Sequence, residues 1–140
     1  MQQMIFVNLP VADLSASRAF YEGVGFSINP MFSDETAICV VISETIYVMA
    51  LTHAKWAEFT DLPPGDARQT APHMLALSFG SREDVDGFVA AALAHGGTTP
   101  RPAQDMGFMY SHAVTDPDGH IWEPMWMDPA AAAGGPPEES

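Results

Sequence analysis

Cysteine, basic side chains and long apolar runs are all scarce in this chain. The single cysteine, Cys39, cannot close an internal disulfide. It sits in the apolar run Ile38–Ile42, away from any basic neighbour, and is expected to pack as a small hydrophobe rather than react. Lysine and arginine number 5 against 18 acidic residues, a net charge of −13. Such a chain repels phosphate backbones and anionic bilayers, so neither nucleic acid nor a membrane is an expected partner. A small apolar or cationic molecule is compatible with it. No run approaches the roughly 18 apolar residues of a membrane span. Met1-Gln2-Gln3-Met4 offers no basic segment ahead of an apolar one, which makes the expected location cytoplasmic. Also missing are a glycine-rich phosphate loop, Cys-x-x-Cys and Gly-x-Ser-x-Gly.

What is present is a core and a repeat. Apolar residues make up 47% of the 140, enough for one compact domain or two small modules. Ile5–Val11 alternates: Phe6, Asn8 and Pro10 share one face, and Val7, Leu9 and Val11 share the other, as in a half-buried strand. Asp13-Leu14-Ser15 reads as a helix start. Ala16, Ala19, Phe20, Gly23 and Val24 then follow at helical spacing, and Gly23 and Gly25 end the helix. The second half repeats this order. His73–Phe79 reads as a strand and Ser81 as a helix cap, with Asp84 in a capping-box position. Val85, Phe88, Val89, Ala92 and Leu93 form the stripe, closed by His95-Gly96-Gly97. Leu9 aligns with Leu77, Val11 with Phe79 and Phe20 with Phe88 at one constant offset.

Three strand-like segments follow each helix: Ser27–Phe32, Ala37–Ile42 and Ile46–Leu51, then Thr98–Pro102, Met109–Thr115 and Gly119–Met127. The expected organisation is therefore α+β: a first βαβββ module over 1–60, a linker over 61–72 rich in proline and glycine, and a second module over 73–128. A tail over 129–140, with little to pack, is expected to be disordered. Each helix covers one face of a curled mixed sheet and leaves the other face concave.

Three motifs in this order, "NLPVADLSASRAFYEGVGF", "LALSFGSREDVDGFVAAALAHGG" and "DPDGHIWE", span most of residues 4–128. They resemble the vicinal oxygen chelate superfamily, which includes glyoxalase I, extradiol dioxygenases and bleomycin-resistance proteins. The resemblance implies two βαβββ modules around a concave cavity and a homodimer. In metal-dependent members it also implies four ligands, typically His, Gln and Glu, which hold a divalent ion that polarises substrate oxygens. Carried onto this chain, the ligand positions fall on Phe6, Ala50, Met74 and Glu123. Phenylalanine and alanine cannot ligate, and a thioether suits such ions poorly. The expectation is a small-molecule-binding protein with no cofactor and no metal site, in which Glu123 is the retained polar position.

Other residues complete the expected site. If Asp116–Gly119 turns the chain with Thr115 facing His120, then His112 comes opposite Glu123. Tyr110 and Met125 then share their face. A His–carboxylate pair can transfer protons near neutral pH, so His112 and Glu123 are also candidate catalytic groups. Phe32, Asp34 and Glu35 fall near the rim. The alternative is a metal-dependent lyase, isomerase or extradiol dioxygenase with a displaced ligand set, Glu123 joined by His73 or His112. Against it, His73 is expected to face away from Met74.

Overall fold

The structure, a computed structural model, describes residues 2–134. Strand β1 (Ile5–Val11) leads to helix α1 (Leu14–Gly23), which opens where the Asp13 carboxylate accepts from the Ser15 and Ala16 amides. Strands β2 (Ser27–Asn29), β3 (Ala37–Val41) and β4 (Ile46–Thr52) complete the first module, with a 3₁₀ turn, Pro30–Phe32, after β2. The sheet order is β1-β4-β3-β2, with β1 parallel to β4 and the rest antiparallel. A short helix α2 (His53–Trp56) precedes the linker.

The second module repeats the plan. It contains β5 (Met74–Ser78), α3 (Arg82–Ala94), β6 (Gln104–Asp105), β7 (Met109–Ser111), β8 (Val114–Thr115) and β9 (Ile121–Met127). Here β5 runs parallel to β9, while β7 and β8 both pair antiparallel with it. Thr98–Pro102 was expected to be a strand. It contributes only a bridge from Thr98 to Thr115, because Pro100 and Pro102 have no amide to donate. The expected tail begins as a helix, α4 (Pro129–Gly134), in keeping with its alanine run. The rest of that expectation, 135–140, lies outside the described residues.

One core joins the modules. Leu9, Ile38, Val48 and Phe20 from the first half pack in the same cluster as Phe88, Val89, Val114 and Trp122 from the second. The helices α1 and α3 pack against each other within it. The buried face of α1 is Ser17, Phe20 and Tyr21, not the expected stripe through Ala16 and Ala19, because the larger rings claim the core. On α3 the expected stripe holds, except that Leu93 is exposed. Gly97 sits where the modules are closest. A Cβ there would lie 2.4 Å from the Thr115 carbonyl oxygen and 2.9 Å from the Phe20 ring. Since both sheets turn their helix-covered faces inward onto this core, their open faces point away from it.

Candidate functional site

The strand registers decide which side chains reach an open face. In the first module Phe6 pairs with Tyr47 and Asn8 with Met49, while Cys39 lies beside Met49. Phe6 and Tyr47 stack with centroids 4.7 Å apart. Phe6, Tyr47, Met49 and Cys39, with Met4, Asn29 and Phe32, line a mainly apolar hollow of about 340 Å³. Burial pushes the Cys39 thiol up from its ordinary value, so it adds apolar surface rather than a nucleophile. Ala50, expected on this face, is fully buried with Val48 in the core. Its neighbour Met49 takes the open position. All four residues of Val48–Leu51 are apolar, so alternation alone cannot choose between the two faces.

On the second module's open face, Met74, Ala76 and Ser78 pair with Ile121, Glu123 and Met125. Met74 is 63% exposed, and Glu123 and Met125 are half-buried. Phe6 and Glu123 therefore belong to two faces of one chain that point away from a common core.

The expected opposition of His112 and Glu123 does not occur. Val114 pairs with Trp122 and Ser111 with Met125, a register that sets His112 against Pro124, to whose carbonyl its amide donates at 3.3 Å. The loop explains the difference. Asp116 N–H donates to His120 O and Gly119 N–H to Asp116 O, each at 3.0 Å, with Gly119 at φ 94°. This is a three-residue loop with a glycine bulge, not a four-residue turn. Shifting the pairing by one residue moves His112 and Tyr110 to the helix-covered face. Tyr110 there donates to Asp86 on α3 at 2.6 Å, under the Arg82 guanidinium.

His73 also lies on the helix side, stacked on His120 with centroids 5.7 Å apart. His120 is 4% exposed, and its Nε2–H donates to the Pro10 carbonyl at 2.7 Å. Beside it, buried Asp116 accepts from the Tyr21 hydroxyl at 2.7 Å, from His120 N–H at 2.9 Å and from Asp118 N–H at 3.0 Å. Trp122 Nε1–H donates to the Tyr21 oxygen at 3.2 Å. Thus "DPDGH" ties the modules together, while Ile121 and Glu123 of that motif face outward. Burial, then the neighbouring His120, lowers the His73 pKa, with Asp116 opposing. A depressed folded value makes its contribution complete above the unfolded value of about 6.5 and lost as pH falls through the folded one. Urea unfolding from pH 8 to 5 should show stability dropping on acidification, with a shallower drop in His73→Gln. Parallel curves would remove His73 as the cause.

Among the described residues, no group of three or more His, Cys, Asp or Glu is placed to hold a metal ion. No described helix is long and apolar enough to cross a membrane.

Comparison with known proteins agrees with this geometry. A glyoxalase-related enzyme from Fulvimarina pelagi is 27% identical with a TM-score of 0.75, over 90% of this chain and 88% of that one. The hypothetical protein SA1046 from S. aureus is 23% identical, with a TM-score of 0.76, over 90% and 94%. The fosfomycin resistance protein FosX from Mesorhizobium loti, at 16% identity and a TM-score of 0.68 over 95% and 98%, shares the fold. No curated protein matches the sequence. The model of the glyoxalase/bleomycin resistance protein/dioxygenase superfamily matches residues 3–123, and with two βαβββ modules joined in this way the chain belongs to that superfamily.

Proposed function

We propose that the protein binds a small apolar or cationic organic molecule in a cup completed by a second copy of the chain, without a bound metal. The observation that carries this reading is the chemistry of the open faces. Phe6, Met49 and Met74 stand there, and Glu123 is the one carboxylate among the paired positions. That set does not fit a divalent ion, which needs several hard or borderline donors. A displaced set gains no support, since His73 and His112 lie on the opposite side of the sheet from Glu123. The homodimer has separate support: Ile5, Phe6, Phe32, Met74 and Met106 leave exposed apolar surface on a single chain. Strands β1 and β5 are also open sheet edges. A second copy that set the first module's face against the second module's face would bring Glu123 over the apolar hollow.

The test is metal analysis after exposure to zinc, manganese and nickel followed by dialysis, with fluorescence of anilinonaphthalene sulfonate as a probe of the hollow. Substoichiometric metal, with probe binding weakened by Phe6→Ala, is the expected result. One equivalent of metal per chain, lost in Glu123→Ala, would sink the metal-free reading.

A further inference from the structure

A second hollow of about 250 Å³ lies beneath the linker, between the end of β1 and the start of β5. Its polar lining consists of Asn8, Asp66, Thr70, His73 and His120, with Trp56 as its aromatic wall. The roof is fastened at two points. Trp56 Nε1–H donates to Leu62 O at 3.1 Å, and the Arg68 guanidinium donates to Pro117 O at 2.7 Å. Prolines 10, 64 and 72 stiffen the walls.

Two nitrogens here are buried without a partner, His73 Nε2 and His120 Nδ1. Because a carbonyl can only accept, the bond to Pro10 O places a proton on Nε2 of His120, and in the neutral ring Nδ1 is then a bare lone pair. Buried acceptors are normally satisfied, and leaving one unmet is destabilising. The lining holds one carboxylate, two imidazoles and an indole face, and neither lysine nor arginine. Burial favours the uncharged form of His73, which leaves one of its ring nitrogens able to accept. This inventory lacks a positive charge, and none of its groups donates to the buried His120 Nδ1. A metal ion would leave most of the volume unfilled, and no three ligating side chains converge among the described residues.

We infer that this hollow is a binding site for a small organic cation bearing N–H donors, a guanidinium or primary ammonium head. Its donors meet the His120 and His73 lone pairs, its charge meets Asp66, and its flat face lies against Trp56. All of its lining comes from one chain, and none of it is shared with the hollow at Phe6.

The test is titration of the full chain with methylguanidinium chloride, followed by NMR of the His73 and His120 rings and the Trp56 indole. The expected result is saturable shifts confined to these groups. Urea, with the same shape and no charge, and tetramethylammonium, a cation with no N–H, should each bind at least tenfold more weakly. His73→Phe keeps a ring and removes an acceptor, and should weaken methylguanidinium at least tenfold. Asp66→Asn, on the exposed linker, should weaken it about fivefold and guards against a folding defect in the first variant. Shifts that fail to saturate, or an equal response to tetramethylammonium, would overturn the inference. So would one equivalent of zinc displacing the probe, which would make the hollow a metal site.

Discussion

Replacing Asp116 with alanine is expected to lower the stability of the fold by about 3 kcal/mol, a fall of roughly 1.5 M in the urea midpoint at an ordinary slope. The carboxylate is 2% exposed and serves three donors at once: the Tyr21 hydroxyl, the His120 amide and the Asp118 amide. Alanine would leave all three without a partner, and Trp122 would lose a fixed acceptor because the Tyr21 hydroxyl would no longer be held. Asp116→Asn separates shape from charge. Its oxygen still accepts from the two amides and its Nδ2–H can donate to the Tyr21 oxygen, so about 1 kcal/mol or less should be lost. Burial raises the Asp116 carboxyl above its ordinary value, with His120 and the Tyr21 hydroxyl pulling it back. A raised folded value means that its stabilising contribution is complete below the unfolded value of about 3.9 and declines as pH rises through the folded one. Asp116→Asn should therefore flatten the pH dependence above about pH 4. Equal and small losses in both variants would show that the network contributes little.

Phe6→Asp should have the largest effect on assembly. Phe6 is 47% exposed and stacked on Tyr47, so a single chain can accept the substitution with little loss of stability. In the proposed dimer the same position is covered, and an uncompensated carboxylate there would cost several kcal/mol. The dimer dissociation constant should rise at least about a hundredfold, which corresponds to about 2.7 kcal/mol. Light scattering across a dilution series measures this, with thermal unfolding of the variant as the control for folding. A dimer that persists unchanged would place the interface elsewhere. A native chain that is monomeric at high micromolar concentration would remove the second copy from the cup.

The elements were legible in the sequence where one face is polar and the other apolar. Ile5–Val11 alternates cleanly and forms β1 as expected, and Asp13 and Ser81 cap the two helices. Legibility failed where both faces are apolar, as at Val48–Leu51, and where a register depends on loop length, as at Pro117–Gly119. The buried network left no local signal either. Tyr21 and Asp116 lie 95 positions apart, and nothing near either one announces the other. Met49 was recoverable from its pairing once Val48 and Ala50 are assigned to the core. The hollow beneath the linker depends on how the strap folds back, which composition does not encode.

The three-residue loop at Pro117–Gly119 acts as an address for everything upstream of it. A chain one residue shorter there, with the same three-residue loop, would pair Thr115 with His120, the register in which His112 sits across from Glu123 and the outward face gains a His–carboxylate pair. That alternative would also expel Val114, now fully buried, and pull Tyr110 away from Asp86. A deletion alone would thus be penalised. A deletion combined with polar replacements at 110 and 114 would be tolerated. Within this architecture, a single-residue deletion with two compensating substitutions separates an outward face with a lone carboxylate from one that carries a His–carboxylate pair.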